Sequence, residues 1–113
     1  MAGMAESESL EVDLEAFAEA HAKGATLLDV RNPDEYEERH VPGAILIPLG
    51  ELGDRLDEVP KASPLYVICA RGGRSLRAAE ALAGEGFDAL SVAGGTIAWA
   101  DSGRPVATGP EAG

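Results

Sequence analysis

Cys69 is the sole cysteine of the chain, and it opens the segment Cys69-Ala70-Arg71-Gly72-Gly73-Arg74-Ser75. A thiol becomes a useful nucleophile only as its thiolate, and helix N-termini and nearby cations lower its pKa from about 8.5. Both features surround Cys69: Arg71 and Arg74 lie within five residues of it, and a helix is predicted to start at Ser75. Gly72 and Gly73 let the backbone take conformations that a Cβ disfavours. A loop curled in this way aims several N–H groups at one point and forms a nest for an anion. Such a nest suits a thiolate, a persulfide anion or a bound oxyanion. The opposing reading is a small buried hydrophobe, which single strand-end cysteines often are. Spacing alone reaches a reactive cysteine in an anion-binding loop and no further.

Helical and extended segments alternate around this loop, which predicts an α/β domain with a mainly parallel sheet. Residues 10–12 read as a short edge strand, and Asp13 as the N-cap of a helix carrying Leu14, Phe17, Ala18 and His21. Gly24 stops it. Residues 26–30 suit a buried strand. Asn32-Pro33 opens a brief helix through about Arg39, with Asp34 and Glu35 in its first turn. Residues 44–47 form the next strand, and residues 49–56 a helix ending before Pro60. Residues 65–68 read as a central strand, 75–83 as a helix and 89–92 as a final strand. Gly94-Gly95 then turns into a short helix carrying Ile97 and Trp99. Cys69 therefore falls at the C-terminal end of a strand, just before a helix. Open α/β sheets bind ligands at that place.

The chain has 113 residues, the size of one domain. Residues 1–8 read as a flexible acidic tail, 9–107 as the domain and 108–113 as a flexible C-terminal tail. Nine basic against twenty acidic residues give a net charge of −11. That argues against the phosphate-neutralising surface of a nucleic-acid binder and against attachment to an anionic membrane. It also means that any anion site must be made locally, from backbone amides and a few arginines. No apolar stretch approaches the roughly 20 residues that span a bilayer. Residues 1–9 lack the basic start and apolar run of a secretory signal, and a lone free thiol suits a reducing compartment. A cytoplasmic location is expected. One cysteine and two histidines at unrelated positions make no metal site.

The segment CARGGRS resembles the active-site loop of rhodaneses, whose pattern is Cys-x-x-Gly-x-Arg-Ser. Cys69, Gly72, Arg74 and Ser75 match it position by position. Leu28-Asp29-Val30-Arg31, followed by Asn32-Pro33-Asp34-Glu35-Tyr36, is similar to the family's Asp-Val-Arg…Glu-Tyr segment. His40-Val41-Pro42-Gly43-Ala44 with Ile47-Pro48 resembles its His-Ile-Pro-Gly-Ala…Ile-Pro segment. Gly94-Gly95-Thr96-Ile97-Ala98-Trp99 resembles its closing Gly-Gly-x-x-x-Trp. The likeness runs from about Leu10 to Pro105, nearly the whole chain. It implies a rhodanese-like α/β fold, with five mainly parallel strands and helices on both faces.

The resemblance also implies a sulfurtransferase. The Cys69 thiolate would take the outer sulfur of a donor such as thiosulfate. The persulfide, held by the amides of Ala70, Arg71, Gly72, Gly73, Arg74 and Ser75, would pass it to a thiol or protein acceptor. No metal or organic cofactor is needed, because nucleophile and nest supply the chemistry. Arg71 is expected to meet the anionic donor or to be solvated. Arg74 is expected to brace the loop by pairing with a carboxylate, with Asp29 as partner. Ser75 reads as a helix cap. Asp29, Arg31, Glu35 and His40 read as a polar network that fixes loops, because an ionised thiol needs no general base. A monomer is expected of so acidic a chain.

A cysteine-dependent phosphatase or arsenate reductase of related fold has a longer loop, Cys-x5-Arg, whereas Cys69 to Arg74 is Cys-x4-Arg. The shorter cradle suits a sulfur atom rather than a tetrahedral phosphate. A non-enzymatic interaction or regulatory module usually lacks the cysteine, which is present here.

Overall fold

The computed structural model describes residues 10–113, so the tail predicted for residues 1–8 lies outside the described residues. Five strands, β1 (Glu11–Val12), β2 (Leu27–Asp29), β3 (Ile45–Leu46), β4 (Leu65–Ile68) and β5 (Ala89–Val92), form one parallel sheet in the order β1-β5-β4-β2-β3. Around them run α1 (Leu14–Ala22), α2 (Pro33–Glu38), α3 (Leu49–Leu52), α4 (Gly73–Gly84) and α5 (Gly95–Asp101). This is the five-stranded α/β architecture expected. No described helix is long and apolar enough to cross a membrane.

The central strand sorts its side chains by the two-residue period of a pleated strand. Leu65, Val67 and Cys69 pack with Leu28, Ala78, Ala79, Leu82 and Ala89, against α4. Ile68 points the other way, into a second cluster with Phe17 of α1, Tyr36 of α2 and Trp99 of α5. Phe17 is the hub there, with ring centroids 5.4 Å from Tyr66 and 5.5 Å from Trp99. Burying each such large side chain contributes about 1.5–3 kcal/mol. The sheet is therefore anchored on both faces, and the end of β4 is a rigid place for a functional group.

Local signals set most boundaries. The Asp13 carboxylate accepts the Ala16 N–H at 2.8 Å and starts α1. The Asn32 N–H donates to Glu35 Oε1 at 3.0 Å, and Pro33 takes the first position of α2. Two helices differ from expectation. The helix over 49–56 is α for one turn only and continues as a 3-10 segment, Gly53–Glu58. Gly50 and Gly53 disfavour the α state there. α4 begins two residues before Ser75, because Gly72 adopts the left-handed conformation at φ +113 and serves as N-cap. The C-terminal residues run back along the body. His40 and Ala107 exchange backbone bonds of 2.8 Å, Gly109 donates to Glu37 O at 2.7 Å, and Gly43 donates to Ala112 O at 2.7 Å.

Candidate active site

β4 delivers Cys69 to the carboxyl edge of the sheet, where the chain must turn before α4. The turn is held from outside by α5: Thr96 N donates to Cys69 O at 2.8 Å and Ile97 N to Ala70 O at 3.1 Å. Held in this way, the loop curls round the sulfur. Gly72 N donates to Cys69 Sγ at 3.1 Å and Ser75 N at 3.3 Å. The Ser75 hydroxyl lies 3.4 Å from Sγ. Of the six loop amides, those of Gly72 and Ser75 make the hydrogen bonds to the sulfur.

Cys69 is only 1% exposed, so two opposing effects act on its thiol. Burial pushes the pKa up. The Ser75 hydroxyl and the amides of Ser75, Gly72 and Arg71 pull it down, and the net shift is below the ordinary thiol value. Hydrogen bonds to a charged group contribute roughly 1.5–3 kcal/mol each. Several of them offset the several kcal/mol that removing one anion from water costs. The sulfur is thus a buried atom in a polar socket, part hydrophobic core and part anion nest.

The supporting charges are arranged in pairs. Arg74 does not pair with Asp29. It forms a bidentate bridge to Glu35 of α2, with Nη1–Oε1 at 2.9 Å and Nη2–Oε2 at 3.0 Å. Asp29 is already taken by Arg31, through Nε at 3.0 Å, Nη2 at 2.9 Å and the backbone N–H at 3.0 Å. Arg31 also donates to Arg39 O at 2.8 Å and so ties the end of α2 to β2. The reach of Arg74 from the second residue of α4 favours the outer carboxylate on α2. Ser75 is not the helix cap but the third helical residue, with its hydroxyl donating to Gly72 O at 3.1 Å. His40 is fully buried away from the sulfur. Its Nδ1 faces Tyr36 O at 2.8 Å and its Nε2 faces Ala112 O at 3.2 Å. Arg71 is exposed, with no side-chain hydrogen bond among the described residues.

The hydrogen bond from Arg74 is the main reason that the Glu35 carboxyl falls from 4.5 to about 2; burial opposes it, and the Asn32 amide adds to it. A carboxyl lowered on folding contributes stability that is present above its unfolded pKa and is lost as pH falls through the folded one. The bridge should therefore hold above pH about 4.5 and fail between there and pH about 2. Both groups are about a third exposed, so solvent screening limits the pair to about 1 kcal/mol. Glu35→Gln should flatten that part of the stability-versus-pH curve, measured by urea unfolding. Equal acid sensitivity in the variant would count against the bridge.

Beside the loop lies a depression of about 150 Å³ lined by Ala70, Arg31, Arg39, Glu38, Thr96 and Ile97. The Thr96 hydroxyl is buried without a hydrogen-bond partner among the described residues. A larger depression of about 210 Å³, lined by Lys61, Ser63, Phe87 and Asp88, sits at the opposite edge of the sheet, remote from the sulfur. Sequence reasoning missed Thr96, Arg39 and Ser91, whose hydroxyl is 2.7 Å from that of Ser75. For Ser91 a signal existed: a hydroxyl in the otherwise apolar strand Ala89-Leu90-Ser91-Val92.

A five-stranded parallel sheet with a cysteine socketed at the end of its central strand defines a rhodanese-like domain. The family model described as rhodanese-like domain matches residues 13–102, and the chain belongs to that family. It is 40% identical over 79 residues to the putative sulfur carrier protein YrkF of Bacillus subtilis, covering 68% of this chain and 43% of YrkF. It is 38% identical over 78 residues to the thiosulfate sulfurtransferase GlpE of Pseudomonas syringae, covering 68% of this chain and 74% of GlpE. Among solved structures, a rhodanese-related protein from Thermoplasma volcanium superposes with a TM-score of 0.80 at 33% identity, covering 86% of this chain and 96% of that one.

Proposed function

We propose that this chain is a sulfurtransferase that carries a sulfane sulfur on Cys69 as a persulfide. The observation that supports it most is the socket itself, in which two backbone amides and one hydroxyl converge on a single sulfur atom. The relatives named as a thiosulfate sulfurtransferase and a putative sulfur carrier point the same way.

The Cys69 thiolate attacks the outer sulfur of thiosulfate. A Cys69 S–S bond forms, the S–S bond of the donor breaks, and its electron pair leaves with sulfite. The enzyme retains a persulfide anion. A thiolate acceptor then attacks the outer sulfur of that persulfide, takes it, and returns Cys69 as thiolate. Charge balances in both steps without a redox partner. Preorganised amides stabilise the anion throughout at no cost in reorganisation. Arg71, exposed on the loop, meets the sulfonate of the donor, while Arg74 stays with Glu35 and braces the nest. Asp29, Arg31 and His40 keep the neighbouring loops in place.

The test is mass spectrometry of reduced protein after incubation with thiosulfate. The expected product gains one sulfur atom on Cys69 and loses it to cyanide or a thiol. Reduced protein that takes up no sulfur from thiosulfate or from a persulfide donor would overturn the assignment in favour of an interaction module.

A further inference from the structure

We propose that Ser91 is a positioning residue for the Cys69 nucleophile, acting through Ser75: its buried hydroxyl directs the Ser75 hydroxyl onto the sulfur once the thiol is ionised. The proposal deepens the sulfurtransferase reading and rests on it for its consequence.

Ser75 and Ser91 are both fully buried, and their Oγ atoms lie 2.7 Å apart. The Ser91 hydroxyl has no other hydrogen-bond partner among the described residues. Its proton therefore goes to Ser75 Oγ, since a buried donor left unpaired costs about 1–3 kcal/mol. That sets the direction of the chain. Ser75 Oγ accepts from Ser91, and its own proton is free to point to Gly72 O at 3.1 Å or to Cys69 Sγ at 3.4 Å.

The thiol and the thiolate call for different arrangements. In the thiol, the S–H points to Ser75 Oγ and the Ser75 proton rests on Gly72 O. When the thiol proton leaves to water, the sulfur becomes an acceptor and the Ser75 O–H rotates onto it. Gly72 O is not orphaned by that rotation, because it keeps the Leu76 N–H at 3.0 Å. Ser91 continues to donate, and the polarised chain Ser91→Ser75→Cys69 strengthens the last bond. The two states differ only by an O–H rotation.

The surrounding charges do not do this work. Arg74 is occupied by Glu35 of α2, Asp29 of β2 by Arg31, and Arg71 is exposed. None of them makes a hydrogen bond to Sγ. β5 contributes only the Ser91 hydroxyl to this side of the sheet, where Ala89 packs in the apolar cluster. A hydroxyl in that row is an expensive choice for packing alone.

The test is a double-mutant cycle read by the ultraviolet absorbance of the thiolate, which is unambiguous with one cysteine. Ser91→Ala should raise the titration midpoint of Cys69 by about half a pH unit, roughly a threefold loss of thiolate below the midpoint. In a Ser75→Ala background the same change should move it little, because the relay is already cut. A midpoint unmoved by Ser91→Ala, or moved equally in both backgrounds, would overturn the role. If a variant does not fold, the wild type still decides: the Cβ resonances of Ser75 and Ser91 should titrate together with that of Cys69, and a flat Ser91 curve overturns it. No sulfur donor is present in these titrations. A shifted midpoint in protein that cannot be loaded by thiosulfate would therefore count against sulfur transfer alone, and an unmoved one in protein that loads normally against Ser91 alone.

Discussion

Cys69→Ser is expected to lower sulfur transfer by roughly a thousandfold or more while leaving the fold intact, because the step needs a covalent bond to a soft, ionised nucleophile. A serine hydroxyl ionises far above neutral pH and makes no persulfide. The change is nearly isosteric, so Gly72 N and Ser75 N, now 3.1 and 3.3 Å from sulfur, keep an acceptor in the same place. Cys69 also packs in the apolar cluster under α4, so a small loss is expected from replacing sulfur with a hydroxyl, on the order of 1 kcal/mol. Thermal unfolding and a sulfur-release assay separate the two effects. Transfer near the wild-type rate in a folded variant would remove Cys69 from the reaction.

Gly95→Ala is expected to damage stability and transfer together. Gly95 sits at φ +61, and a Cβ there would lie 2.5 Å from Cys69 O and from the Ala70 carbonyl carbon, and closer still to Ala70 O. Those atoms are backbone and cannot swing aside. Left-handed strain of about 1–2 kcal/mol and an overpacking penalty of about 1–3 kcal/mol both apply. The first turn of α5 would be pushed off the loop, weakening the bonds from Thr96 N to Cys69 O and from Ile97 N to Ala70 O. Persulfide formation should fall at least about tenfold beyond what the unfolded fraction explains, since misplacement by about 1 Å is costly in a preorganised site. Gly103→Ala provides the control: Gly103 also has a positive φ, +85, but a Cβ would meet nothing within 4 Å. Urea unfolding and the rate of thiosulfate loading should separate the pair. If Gly95→Ala unfolded like Gly103→Ala and loaded normally, the clamp would have no role.

The glycine pair shows how far pattern reading reaches. Gly94-Gly95 is recognisable as a turn into a short helix, but not as the support on which the Cys69 loop rests. The same holds for charge. The sequence places Arg74 near the sulfur and asks for a carboxylate partner. It points to Asp29, on the neighbouring strand, whereas the partner is Glu35, because that choice depends on how α2 and α4 pack, across 39 residues of chain. The start of α4 lies two residues before the expected one for a related reason. A glycine N-cap offers no side chain to read, and only the left-handed φ of Gly72 reveals it.

What the sequence determined by itself is local or periodic. Alternating apolar runs and helix stretches define an α/β domain of five strands. The Asp13 and Asn32-Pro33 signals start the first two helices, and Cys69 followed by glycines and arginines announces an anion nest at a strand end. These are legible because each depends on neighbours within a turn or two of chain. The fold alone sets which donors reach the sulfur, which carboxylate holds Arg74, that Ser91 stands behind Ser75, and that His40 meets the C-terminal residues. The physical reason is common to the last three, which join residues 16 to 72 positions apart. Hydrogen bonds and ion pairs operate over about 3 Å. Distances of that size between residues far apart in sequence are set by how the helices settle on the sheet, which no local pattern records.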